Sequence, residues 1–251
     1  MSVIYEPTAR AAEYAPLACN LYTGCRHSCR YCYAPGTARK KRSVFHTAVE
    51  PRKNILELLE KDCRKMKGDP REILLCFMTD AYQPFIFPSD DITRQALLIL
   101  EKYETKVTIL TKGGTRAIRD FDILKRNDWS FGTTIIFKDI YLQRQWEPGA
   151  TELGDRIKAI RTAHDQGIRT WVSLEPVIIP DQALRVISAL RDFVDHWKVG
   201  KINYHKYIEE KIDWNRFLIQ AERLLYGKSY YIKRDLLEAA GRITGGDGRM
   251  E

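Results

Sequence analysis

Apolar positions along this chain follow two alternating rhythms. Short dense runs at 15–19, 72–79, 106–111, 131–137, 169–175 and 196–202 read as strands. Between them the spacing becomes helical. Residues 51–67 place Ile55, Leu58, Leu59, Cys63 and Met66 on one face, and Pro51 suits the first helical position. The same pattern predicts helices over 90–103, 115–127, 151–166 and 180–192, with Gly167 as a stop signal. A further helix over 213–225 carries Trp214, Phe217, Leu218, Ala221, Leu224 and Leu225 on one stripe. Strands separated by helices of this length imply an α/β domain with a parallel sheet. No repeat, low-complexity segment or linker interrupts the alternation, so residues 1–251 read as a single domain.

Composition narrows the class. The 251 residues are 44% hydrophobic and 29% charged, enough for a sizeable core, and no apolar run approaches the roughly 18 residues of a membrane span. The first twenty residues lack a secretory apolar segment, so the expected compartment is the cytoplasm. Net charge is +8, and residues 39–71 hold eleven Lys and Arg against five Asp and Glu. Such a stretch suits nucleic acid or a phosphorylated substrate, and equally a solvated helix face.

The cysteines point to metal chemistry. Six in a long chain without a secretion signal fit metal binding better than disulfides. Cys25, Cys29 and Cys32 form a Cys-x3-Cys-x2-Cys run, while Cys19, Cys63 and Cys76 are scattered. Structural zinc wants four ligands, and only His27 and His46 lie nearby. An iron–sulfur cube is compatible with three cysteines, which leaves its fourth iron open to a small molecule.

The run NLYTGCRHSCRYCYAP at 20–35 resembles the cluster loop of radical S-adenosylmethionine (SAM) enzymes, and most of all the branch containing spore photoproduct lyase. The segments TDAYQP at 79–84, followed by ITRQALLIL, and VTILTKGGTRAIRDFDILKR at 107–126 are similar to that branch as well. The resemblance implies a partial (β/α)6 barrel with its chemistry at the C-terminal strand ends, and a helical extension over 213–251 that closes the barrel. It implies a 4Fe-4S cluster on Cys25, Cys29 and Cys32, S-adenosyl-L-methionine as cosubstrate, and a reductant such as flavodoxin or ferredoxin. The expected activity is reductive cleavage of SAM to a 5′-deoxyadenosyl radical that abstracts hydrogen from a substrate.

Residue by residue, Tyr31 is expected to pack over the cluster or adenine, and Tyr33 to place its backbone near the adenine. Thr79 and Asp80 stand where many members carry Gly-Gly-Glu, and are expected at the methionine amino group. Lys112 is expected at the methionine carboxylate. Thr133 and Thr134 alternate across the sheet, so one of them faces inward toward ribose or carboxylate. Glu175 is expected at the ribose or the substrate. The two tyrosines also read as barrel packing, and the strand-end residues as turn residues, caps or ion-pair partners. Cys76 lies one residue from the position where photoproduct lyases keep a hydrogen-donating cysteine, and one residue on a strand reverses the face, so donor and buried hydrophobe both stand open.

Candidate substrates are DNA or RNA bases, in photoproduct-repair-like lyase chemistry or in base modification, and no membrane is expected. Lys198, Lys201 and Lys206 interleaved with Tyr204, Tyr207, Tyr230 and Tyr231 suit stacking on unpaired bases or ordinary barrel closure. His27 reads as a solvated loop residue and His164 as a packed one. The contrasting reading is a nucleic-acid-binding protein whose cysteines hold a purely structural metal or iron–sulfur site.

Overall fold

The computed structural model describes residues 2–84 and 91–243. The expected helix start at Asp90 and the last eight residues of the 213–251 segment lie outside the described residues.

Eight strands form one sheet in sequence order: β1 (Ile4–Tyr5), β2 (Leu17–Cys19), β3 (Glu72–Leu75), β4 (Lys106–Thr111), β5 (Ser130–Thr134), β6 (Arg169–Val177), β7 (His196–Lys201) and β8 (Ser229–Ile232). Only β1 is antiparallel, to β2; every later pair is parallel. The helices are α1 (Ala34–Thr37), α2 (Arg42–Thr47), α3 (Ile55–Lys65), α4 (Ile92–Lys102), α5 (Phe121–Arg126), α6 (Ile140–Trp146), α7 (Leu153–Asp165), α8 (Pro180–Leu190), α9 (Lys206–Glu209), α10 (Trp214–Leu225) and α11 (Arg234–Ala239). The α/β partial barrel and all six expected strands are present.

Among the described residues the sheet stays open, with β1 and β8 as its two edges. The segment after 213 therefore departs from an all-helical extension. It supplies α10, then β8 paired to β7, then α11, and widens the sheet instead of closing it. The expected helix over 115–127 also changes character. It begins as a 3-10 turn over Gly114–Asp120, where Gly114 has φ +58°, and becomes α-helical only from Phe121.

The two faces of the sheet are built differently. Ile73, Leu75, Ile109, Phe131, Val172, Leu174, Trp197 and Val199 are buried against the helices in the main core. The stripes that cover them include Ile55, Leu59 and Cys63 of α3 and Phe217, Leu218, Ala221 and Leu225 of α10. Asp91 accepts from Arg94 N and Asp213 from Arg216 N, capping α4 and α10 where the chain turns back to the sheet. The concave face holds a second, small cluster of Tyr14, Ala15, Leu74 and Trp171, with Phe77 and Leu110 packed on it. Gly132 is required here, because a Cβ on it would lie 2.1 Å from the Trp171 indole. Residues 8–14 cross the gap between the sheet edges. Lys233 Nζ donates to Arg10 O, Lys198 Nζ to Glu13 O and Tyr14 O, and Arg10 pairs with Asp235 at 3.3 Å.

Candidate active site

The loop leaving β2 carries the three clustered cysteines and is fixed mainly through its backbone. Asn20 Oδ1 accepts from the amides of Phe77, Met78 and Thr79 at 3.0, 2.7 and 3.3 Å. Those amides are thereby withdrawn from strand pairing, and β3 ends at Leu75 instead of running to Thr79. Gln83 holds the loop from the other side, donating to Gly24 O and accepting from Arg26 N, both at 2.7 Å. Gly24 presses so closely on α2 that a Cβ would sit 2.2 Å from Phe45 O. Helix α2 braces all three cysteine carbonyls. His46 Nδ1 donates to Cys25 O at 2.7 Å, and the Arg42 guanidinium donates to Cys29 O and Cys32 O.

All six cysteines are free thiols. Burial pushes Cys25 and Cys32 up from the usual thiol range and Cys29 up to about 12, so a bound cation is needed to hold them as thiolates at neutral pH. Among the described residues no three His, Cys, Asp or Glu side chains converge on a single metal ion. That disfavours a zinc staple. An iron–sulfur cube takes each cysteine on a different iron, so its ligands have no need to converge, and three soft thiols on one braced loop fit it.

Beside the loop, a cavity of about 700 Å³ opens at the C-terminal strand ends. Tyr31, Tyr33, Lys112, Thr134 and Glu175 all line it, so five of the expected residues meet there. Lys112 Nζ lies 5.7 Å from the Tyr31 ring centre and forms no hydrogen bond or ion pair among the described residues. Burial lowers its pKa, but Cys29 and Glu147 outweigh burial and raise it above the ordinary lysine value. It is a cation with no fixed partner, available to a carboxylate. Glu175 is held in place: its carboxylate accepts from Tyr14 at 2.5 Å and pairs with Lys233 at 3.1 Å. Tyr33 and Phe77 form an aromatic wall with ring centres 6.0 Å apart.

Four expected residues are not brought to the cavity. Asp80 is buried, with Oδ1 accepting from Thr111 Oγ1 and Tyr82 N, and Oδ2 accepting from Lys112 N and facing His27 Nδ1 at 3.3 Å. Burial alone would raise its pKa, but His27, Thr111 and the Lys112 amide hold the carboxyl well below the usual range. Its acceptor capacity is spent on the protein, so it ties the β3, β4 and cluster-loop ends together. Thr79 is half-buried outside the cavity lining, with Oγ1 beside the Cys76 thiol. Thr133 points to the helix side and donates to Thr111 O at 2.8 Å, leaving Thr134 as the inward threonine.

Cys76 is also turned away. It is 1% exposed, belongs to the main core, and its Sγ accepts from Leu21 N at 3.5 Å. Because β3 has already ended, strand alternation no longer governs its direction, and Phe77 and Met78 take the cavity positions. Of the two open readings, the buried hydrophobe is the one this packing matches. His27 is buried rather than solvated.

Other contributors had no sequence signal. Glu147, just after α6, accepts from Tyr31 OH and pairs with Arg156 of α7 at 2.5 Å, both side chains 1% exposed. Burial would raise the Glu147 carboxyl, but Arg156 and Lys112 outweigh it and keep it below the usual range. Arg156 also donates to Thr134 O and Thr151 O. This buried pair therefore fixes the Tyr31 hydroxyl and the β5 end together. Tyr14, Ser173 and Lys233 join the Glu175 cluster from three separate elements. An isolated Glu or Tyr in a loop shows such a role only when the fold assembles it.

Comparison with known proteins bears on this geometry. The sequence model of the radical SAM superfamily matches residues 19–194. An uncharacterized protein of Methanocaldococcus jannaschii is 30% identical over 164 residues, which are 64% of this chain and 60% of that protein. An uncharacterized protein of Mycobacterium tuberculosis is 27% identical over 172 residues, 63% of this chain and 48% of that protein. The chain thus spans about half to three-fifths of these relatives. Among solved structures, spore photoproduct lyase complexed with dinucleoside spore photoproduct superposes with TM-score 0.66 at 15% identity, covering 91% of this chain and 80% of that one. Streptococcus suis SuiB bound to S-adenosylmethionine gives TM-score 0.66 at 14% identity, covering 91% and 53%. At these identities the superpositions establish the fold.

Proposed function

The chain belongs to the radical SAM superfamily, whose members are enzymes that use S-adenosylmethionine and a 4Fe-4S cluster, and on that premise we propose that it generates a 5′-deoxyadenosyl radical to abstract hydrogen from a nucleic-acid base. The carrying observation is that one cavity of about 700 Å³ is lined by Tyr31 and Tyr33 of the cysteine loop together with Lys112, Thr134 and Glu175. That volume lies within the usual range for a nucleoside-sized ligand. Cys25, Cys29 and Cys32 would hold the cluster, which when bound would supply one electron to the sulfonium of the cosubstrate.

The remaining work falls to the chain. Lys112 pairs with the methionine carboxylate, a charge-assisted contact. Glu175, fixed by Tyr14 and Lys233, accepts from the ribose hydroxyls or orients the substrate. Asp80 and His27 keep the cysteine loop and the Lys112 backbone in register from outside the cavity. The aromatic wall of Tyr33 and Phe77, with Tyr5 and Tyr204 also in the lining, suits a planar base. Spore photoproduct lyase, which shares the fold, is complexed to a dinucleoside lesion. Repair of that particular lesion would need another hydrogen donor here, because Cys76 is in the core.

A purely structural cluster is the contrasting function, and a cavity with an unpartnered lysine beside the loop counts against it. The test is formation of 5′-deoxyadenosine by anaerobically reconstituted, reduced protein, with and without single-stranded DNA, RNA or nucleosides. Product from the parent and none from Cys29→Ala is the expected result. A parent with full four-iron occupancy that forms no product with any of these substrates would overturn the proposal.

A further inference from the structure

From Tyr14 to Val49 the sequence contains no Asp or Glu, and it contains six Lys and Arg residues: Arg26, Arg30, Arg39, Lys40, Lys41 and Arg42. All six are exposed. None of them forms an ion pair among the described residues; Lys40 and Arg42 spend donors on loop carbonyls, and the other four side chains have no polar partner there. Val44, 44% exposed, lies on α2 two residues after Arg42. Protein surfaces normally intersperse charges of both signs, so an uncompensated group of cations around one loop is a field directed at an acidic partner.

The position of this face separates it from the substrate cavity. None of the six cations lines the cavity, whose own basic residues are Arg10, Lys112, Lys201 and Lys233. The cysteine loop therefore has two sides. Tyr31 and Tyr33 line the cavity, whereas the carbonyls of Cys25, Cys29 and Cys32 are held by His46 and Arg42 of α2. On the second side the exposed Arg42 guanidinium touches the backbone of two of these cysteines directly.

We infer that the exposed basic face of Arg26, Arg30, Arg39, Lys40 and Lys41 with Val44 is the docking surface of an acidic electron-donor protein. The inference rests on the cluster reading above. In the transfer the donor is oxidised by one electron and the cluster reduced by one, and no atom changes hands. A small apolar centre with a charged rim is the form expected of weak electron-transfer interfaces, which bury less than about 1,200 Å² and gain their association rate from charge. The phosphate backbone of a substrate is the competing occupant, and the absence of these cations from the cavity lining argues against it.

The experiment uses the full chain, anaerobically reconstituted, with reduced flavodoxin as the probe. Arg39→Glu/Lys41→Glu reverses two cations that make no side-chain bonds and leaves the braces Arg42 and His46 in place. At low ionic strength the second-order rate of cluster reduction, followed by its visible absorbance, is expected to fall about tenfold or more and to lose most of its salt dependence. Flavodoxin affinity measured by calorimetry should weaken in parallel. Iron content, reduction by dithionite and SAM binding should match the parent, and the same change in net charge made at Lys125 and Lys158 should leave the flavodoxin rate unaltered. An unchanged flavodoxin rate overturns the inference alone. Loss of single-stranded DNA affinity with the flavodoxin rate preserved overturns it in favour of nucleic acid. A parent that takes up no reducible cluster overturns both this inference and the function it rests on.

Discussion

The convex and concave faces of the sheet carry different burdens. The convex face is largely hydrocarbon, from Ile73 to Val199, buried to within a few per cent under the helices, with the Thr133 and Thr170 hydroxyls donating to backbone carbonyls. The concave face mixes Leu74 and Leu110 with Thr108, Ser130, Ser173, Glu175 and Lys198. A closed barrel fills its interior with side chains, whereas this open sheet keeps polar groups and a cavity there. Stability should therefore reside on one face and ligand binding on the other, and neighbouring residues on one strand should fail in different ways when replaced.

The largest effect should come from the convex face and the buried pair behind the cysteine loop. Phe131→Ala is expected to cost about 3–5 kcal/mol of unfolding free energy, and Arg156→Met, which strands the Glu147 charge, about 3–5 kcal/mol. Denaturant midpoints of the two variants check both; losses below 1 kcal/mol would mean the helix side tolerates cavities and unpaired charge. Next, Lys112→Ala should leave the denaturant midpoint near the parent value and weaken SAM binding between about tenfold and a hundredfold. Calorimetry on the reconstituted protein reads this directly, and unchanged affinity would remove Lys112 from the carboxylate site.

A sharper form of the comparison lies within β5. Thr133→Val loses one buried hydrogen bond, worth about 1 kcal/mol, and should leave SAM affinity alone. Thr134→Val should do the reverse. Equal effects on affinity from both would show that the two faces are not energetically separate.

The smallest effect is a pH slope. Burial depresses the Lys198 pKa to about 8, so the native state disfavours its charged form. Stability from this group is fully present above the unfolded value near 10.5 and is lost as pH falls through about 8. Melting profiles across that window should rise with pH, and Lys198→Met should flatten the rise; an identical slope in the variant would assign it to another group.

Much of the convex face was legible in the sequence, because burial against a helix imposes periodicity. The six expected strands and the helices α3, α4, α5, α7, α8 and α10 follow from it to within a few residues, whereas the short α6, α9 and α11 were not expected. Strand β8 escaped because Ser229, Tyr230 and Tyr231 remain exposed at the sheet edge and leave only Ile232 as an apolar signal. Strand β1 is two residues long. In the site, the cysteine loop was legible because its ligands are local in the chain. Thr133 and Thr134 could have been assigned once Thr111 was paired with Thr133, since that register places Lys112 and Thr134 on the same face. Asp80 was misleading because its carboxylate is consumed by Tyr82 of its own turn, by Thr111 and Lys112 at the end of β4 and by His27 of the cysteine loop. Glu147, Arg156, Tyr14 and Lys233 form their contacts only in three dimensions.

The strap over residues 8–14 has a consequence for biosynthesis. It leaves the ribosome before any of the parallel strands, yet the side chains that grip it, Lys198, Lys233 and Asp235, are translated more than 180 residues later. The cysteine loop and its α2 brace are complete long before that. Until Lys233 and Asp235 emerge, the nascent protein is an uncinched half-pipe with its cysteine loop assembled and its cavity still unbounded on one side.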